Sequence, residues 1–213
     1  MGNLNDIAET IRANMEDINA ARDKAITQSR ELIRHCSQCI RAVHRSEWEA
    51  VDEKLKVVQS RADELRAVVA GYPELYHSGY TQDALKEVVE AYITYAIIHN
   101  HPVPTKAELN VEGSTYLKGL GEAATELRRF ILDIMRRPDG DIEEAERLLQ
   151  WMDEIYGQLI TFDFPDALTH GLRRQTDIVR GVLERTRGDL TNSLQQQRLQ
   201  IALKEFEERM NNG

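Results

Sequence analysis

The chain has 213 residues, 41% of them hydrophobic and 30% charged, the balance of a folded domain with a real core rather than of a disordered segment. No apolar run approaches the roughly 20 residues that cross a bilayer, and MGNLNDIAET at the start has neither the basic nor the apolar part of a secretory signal, so a cytoplasmic protein is expected. A formal charge of −9 argues against a general coat for nucleic acid and leaves room only for a basic surface confined to one face.

Residues 6–45 contain neither proline nor glycine and carry apolar residues at helical spacing, which predicts one long helix. Within it Cys36 and Cys39 form a lone C-x-x-C. No second ligand pair accompanies them for zinc and no βαβ setting for redox chemistry, so reduced thiols packed on the apolar face are expected. On another face Arg30, Arg34, Arg41 and Arg45 fall within an arc of about 60° at ~100° per residue, with Ser37 beside them and His44 at the edge. No acid enters that arc. The segregation fits a phosphate-facing surface, and it fits equally a solvated face paired with acids of a neighbouring subunit.

A second helix is predicted over 46–69, with Ser46 as N-cap and Glu49 completing a capping box, stopped by Gly71-Tyr72-Pro73. A third runs from about Thr81 to Ile98, ending before His101-Pro102-Val103-Pro104. A fourth starts after Gly113-Ser114 and ends before Pro138-Asp139-Gly140, and a fifth spans about 142–160. The last begins near Ala167, with Gly171, Gly181 and Gly188 as weak points. Nothing alternates with period two for long enough to make a sheet, so the fold is expected to be all-α.

Two pairs of acids stand out. In VVEAYITYAII, residues 88–98, a helix apolar nearly all round places Glu90 inside, with Glu87 one turn back on the same side. In YLKGLGEAATELRR, residues 116–129, Glu122 and Glu126 are four apart among Gly119, Gly121, Ala123 and Ala124. Two glycines in three helical residues imply a closely approaching helix backbone, for which the Glu87–Glu90 helix is the obvious candidate. Buried carboxylates that converge require protons, water or a cation. A hard divalent ion, Mg²⁺ or Mn²⁺, suits them, with Lys86, Lys118 and Arg129 as partial neutralisers. From spacing alone, solvated or structural acids on exposed faces remain the stronger reading. A ferritin-like di-iron bundle needs two E-x-x-H motifs, and the clear candidate is the single Glu74–His77 pair beside a helix break. His99-Asn100-His101 lacks any ββα context and reads as a helix end.

Three stretches resemble the translin family, in particular its catalytically active Trax branch: SRELIRHCSQCIRAVHR (29–45), KEVVEAYITYAII (86–98) and YLKGLGEAATELRR (116–129). The resemblance implies a translin-like bundle of about six to seven helices in a single domain over 1–190; the polar stretch over 191–213, a helical extension or tail, departs from it. The resemblance also implies assembly into a hollow homo-oligomer, an octamer by analogy, whose basic interior holds RNA or possibly single-stranded DNA. Carried over by position, Glu87 and Glu90 match the first catalytic and metal-binding pair and Glu122 and Glu126 the second. Trax usually has aspartate where this chain has Glu122. Arg30, Arg34, Arg41 and Arg45 would line the RNA-facing wall. The implied activity is Mg²⁺-dependent endoribonuclease cleavage of short single-stranded or duplex RNA. Translin itself lacks the acid set and resembles an RNA-binding scaffold, so a non-catalytic scaffold is the alternative, and a purely structural helical oligomer a third.

Overall fold

A computed structural model describes residues 2–137 and 140–211. Among these the fold is all-α, with eight helices and no strand. Six are long, in keeping with the sequence periodicity. The other two are single turns too short to leave a periodic signal. The chain divides into two compact units, Met1–Gly119 and Leu120–Gly213. No helix among the described residues is long and apolar enough to cross a membrane.

The first unit holds α1 (Gly2–His44), α2 (Trp48–Val69), α3 (Pro73–Tyr76), α4 (Gly79–Ile98) and the opening turns of α5 (Gly113–Met135). Its core follows from spacing. Val51, Leu55, Val58, Ala62, Leu65 and Val69 recur at alternating intervals of four and three along α2, giving one continuous buried stripe. That stripe and the α4 residues Leu85, Val88, Val89, Ile93 and Ile97 pack against Leu32, Cys36, Cys39 and Val43 of α1. The N-terminal turns of α1 run on in solvent, with Leu4, Ile7, Ile11 and Met15 exposed.

The junction of α1 and α2 differs from the expected capping box. Ser46 does not cap α2: it lies in the left-handed region at φ 55. Its N–H bonds to the Val43 carbonyl at 2.9 Å and that of Glu47 to the Ala42 carbonyl at 3.1 Å, the paired bonds that close a helix C-terminus. A residue in that conformation cannot also take the extended backbone of an N-cap. The N-cap of α2 is Glu47, without a side-chain bond.

The second unit holds the rest of α5, α6 (Ile142–Leu159), α7 (Asp166–Thr169) and α8 (Leu172–Asn211). The Pro138-Asp139 part of the expected stop after α5 lies outside the described residues. Asp141 caps α6, accepting from the Glu144 N–H at 3.1 Å. Ala145, Leu148, Met152, Ile155 and Leu159 form its buried stripe, and α6 packs against α8, whose Leu172, Val179, Leu183 and Leu190 are buried. Of the three glycines expected to weaken the last helix, only Gly171 interrupts it, at φ +86 after His170 at φ 48. Asp166 fixes that break by accepting the Gly171 N–H at 2.6 Å. Gly181 and Gly188 lie within the unbroken helix.

Both cysteines are free and have no exposed surface. Burial pushes the Cys36 thiol far above its ordinary range, with the charges of Glu87 and Glu90 adding to the effect, and raises Cys39 to about 12. Thiolate is the reacting form. Neither cysteine of the folded protein is therefore expected to react with a thiol reagent at neutral pH within the time that denatured protein titrates fully. Rapid modification of native protein would show that this part of α1 opens readily.

Candidate metal centre

Helix α4 is buried on nearly every side. Val88, Val89, Ala91 and Ile93 have no exposed surface, and Glu90 sits among them with 8% exposure. Glu87 lies one turn earlier, half-buried, with the Lys86 ammonium 3.6 Å from its carboxylate. Thr94, one turn after Glu90, is fully buried, and its hydroxyl has no hydrogen-bond partner.

Gly119 explains how α5 comes so near. A Cβ on it would stand 2.6 Å from the Val89 Cβ and 2.8 Å from the Lys86 carbonyl oxygen, inside any real contact distance. Only glycine lets the two backbones meet at this point. Gly121 does not serve the same contact. A Cβ there would meet Gln175 at 2.8 Å and Leu159 at 3.4 Å, so the expectation that both glycines face α4 holds for Gly119 alone.

Because α5 is one unbroken helix, Glu122 stands a single turn beyond Gly119. One carboxylate oxygen from each of Glu87, Glu90 and Glu122 lies within 4.8 Å of the others. Glu126, the fourth acid, is half-buried one turn further along α5 and lies outside this group of three. Of the three cations expected near the acids, Lys86 approaches Glu87, while Arg129 is exposed.

The geometry suits a small hard cation. Oxygens coordinated to Mg²⁺ at about 2.1 Å lie no more than roughly 4.2 Å apart across the ion, so small side-chain movements would bring three such oxygens onto one shell. Three carboxylates and no thiolate or imidazole in the cluster also favour Mg²⁺ or Mn²⁺ over zinc.

Arg30, Arg34, Arg41 and Arg45 are all exposed, as is Ser37, while Cys36, Ile40 and Val43 on the other side of α1 are buried. Arg45 lies 3.8 Å from Glu47; among the described residues the other three make no ion pair. Sequence reasoning passed over Arg128, which in the second unit donates to the Thr186 hydroxyl at 3.0 Å and pairs with Asp189 at 2.8 Å. Beside Arg129, its identical neighbour, nothing in the sequence marks it out.

No family model matches the chain. An uncharacterised protein of Methanocaldococcus jannaschii is 32% identical over 188 residues, covering 87% of this chain and 82% of that protein. The solved structure of an AfC3PO–duplex RNA complex is similar with a TM-score of 0.80 and 32% identity, over 87% of this chain and 95% of that one. The crystal structure of AfC3PO gives 0.79 and 32%, over 87% and 96%. Apo-NeC3PO shares the fold at 0.78 with 21% identity, over 87% and 96%. These relationships, together with the helix order and the acid-bearing α4–α5 pair, place the chain in the translin/Trax family, alongside the C3PO proteins.

Proposed function

We propose that the protein is a metal-dependent endoribonuclease that hydrolyses phosphodiester bonds of short single-stranded or duplex RNA inside a homo-oligomer, an octamer by family analogy. The convergence of Glu87, Glu90 and Glu122 is the observation that carries this reading. The relationship to a protein solved with duplex RNA supports the substrate class.

Glu87, Glu90 and Glu122 would hold the ion, with Glu126 in reserve on the adjoining turn to orient water or a fourth ligand position. When bound, Mg²⁺ (or Mn²⁺) would stabilise charge on the scissile phosphate and acidify the attacking water. In-line attack with departure of the 3′ oxygen leaves 5′-phosphate and 3′-hydroxyl ends. Burial of Glu90 keeps its carboxylate fixed and removes bulk water from one side of the site, so the acids meet the substrate already positioned. The exposed arginines of α1 would hold the RNA backbone with little preference for sequence.

Labelled single-stranded RNA incubated with Mg²⁺ is expected to be cut, and EDTA to stop the cutting. Intact RNA that nevertheless binds would leave the non-catalytic scaffold, and absence of binding would leave a structural oligomer. The arginine contribution has its own measure. Replacing Arg34 and Arg41 together by glutamine should weaken binding of unrelated RNAs to a similar degree. It should also flatten the dependence of log affinity on log salt by roughly 1.4 to 1.8, at ~0.7–0.9 per lost phosphate contact. An unchanged slope would take these residues off the RNA path.

A further inference from the structure

The C-terminal end of α4 carries a pair of imidazoles that the nuclease reading does not use. His99 Nδ1 and His101 Nε2 face each other at 3.2 Å. Two nitrogens bound to one tetrahedral ion at 2.0–2.1 Å stand roughly 3.3 Å apart, so the pair has the bite of a chelate before any ion arrives.

The rings are held in place rather than left to wander. Asn100 takes the left-handed region at φ 54, closing α4 through its own N–H to the Ile97 carbonyl at 3.3 Å and the His101 N–H to the Ala96 carbonyl at 2.7 Å. Pro102 and Pro104 follow and stiffen the exit. The His99 ring stands edge-on to Trp48 with centroids 4.8 Å apart, and Tyr95 packs against both imidazoles at 5.4 and 5.5 Å. The Tyr95 hydroxyl donates to Asp52 at 3.0 Å, which fixes that ring and brings a carboxylate to the same surface. His101 is exposed and His99 half-buried, so an ion can enter from solvent and keep water in its remaining positions. Among the described residues no third side-chain ligand joins them.

We propose that His99 and His101 form a surface site for a borderline divalent transition ion, Zn²⁺ or Cu²⁺ in preference to Mg²⁺, since imidazole selects those ions over hard ones. It is independent of the carboxylate cluster: Glu90 lies nine residues earlier on α4, about 13 Å along the axis. The same separation also suits one ring N–H donating to the other ring, and a bound ion would displace that hydrogen.

Trp48 supplies a direct readout, because Cu²⁺ on His99 would lie close enough to quench its emission. With Trp151 changed to phenylalanine, Trp48 is the remaining one of the chain's two tryptophans. Cu²⁺ titrated into that protein, with excess Mg²⁺ present to occupy the carboxylates, is expected to give saturable quenching. Zn²⁺ should compete with it. His101→Ala, an exposed substitution that keeps the contacts of His99 with Trp48 and Tyr95, should weaken the response by more than the roughly 10–100-fold typical of losing an outer contact to a metal ligand. Equal quenching in His101→Ala, or no saturable quenching in the parent, would overturn the assignment. Neither result depends on RNA cleavage, so failure here leaves the nuclease reading standing, and a protein inert to RNA leaves this site standing.

Discussion

Changing Glu90 to glutamine is expected to remove RNA cleavage while making the metal-free protein no less stable. The two effects share one cause. Three carboxylate oxygens within 4.8 Å of one another repel by roughly 3 kcal/mol per ionised pair at an effective dielectric of about 20, before cations such as Lys86 offset part of it. Glutamine keeps the size and shape of the side chain and removes one of the charges. A bound divalent ion reverses the balance, since it stabilises the folded state by RT ln(1 + [Mg²⁺]/Kd), about 2.7 kcal/mol at 100 times Kd. The parent protein should therefore melt at a visibly higher temperature with Mg²⁺ than with EDTA, and the Glu90→Gln variant should lose most of that difference. Loss of a ligand that positions the ion against the scissile phosphate should lower the cleavage rate by at least about a thousandfold, or ~4 kcal/mol. The opposite pattern is equally readable. If Glu90 serves only as a buried hydrogen-bonded carboxylate, glutamine would lower the melting temperature and leave the Mg²⁺ shift and the rate where they were.

How much of this was legible in the sequence depended on whether a feature was local and periodic. The long helices were, because proline and glycine punctuation and 3.6-residue spacing act within one element. The burial of Glu90 was too, because an apolar run such as VVEAYITYAII has no outward face to offer it. The ends of helices were less so. Ser46 with Glu49 has the letters of a capping box, yet the backbone uses Ser46 to close α1, and only the path of the chain decides between the two. The same limit applies to Gly121 and Gly119. Both signal a near neighbour, and the sequence does not say which neighbour. It also does not say which of four glutamates share a shell, since Glu126 differs from Glu122 by one helical turn and by nothing in its letters. The aromatic setting of His99 and His101 depends on Trp48, about fifty residues away on another helix, and no spacing rule connects them.

Gly119→Ala is expected to be the most disruptive small change near the candidate centre, against the usual direction for a glycine within a helix. Helix propensity alone would favour alanine by about 1 kcal/mol. At Gly181 and Gly188 of α8, where a Cβ meets nothing within 4 Å, that gain should appear in full as a modest rise in melting temperature. At Gly119 the new methyl meets the Val89 side chain at 2.6 Å and the backbone oxygen of Lys86 at 2.8 Å. Val89 can turn only a little inside a packed core, and a helix backbone does not move alone, so α5 must back away from α4. Overpacking of this kind costs typically 1–3 kcal/mol, which exceeds the propensity gain. Glu122 rides on the same helix one turn on, so the displacement should carry its carboxylate away from Glu87 and Glu90 and weaken the Mg²⁺-dependent rise in melting temperature more than it weakens the fold itself. A Gly119→Ala protein with normal Mg²⁺ stabilisation would mean that the close contact serves packing alone and that the acids find the ion without it.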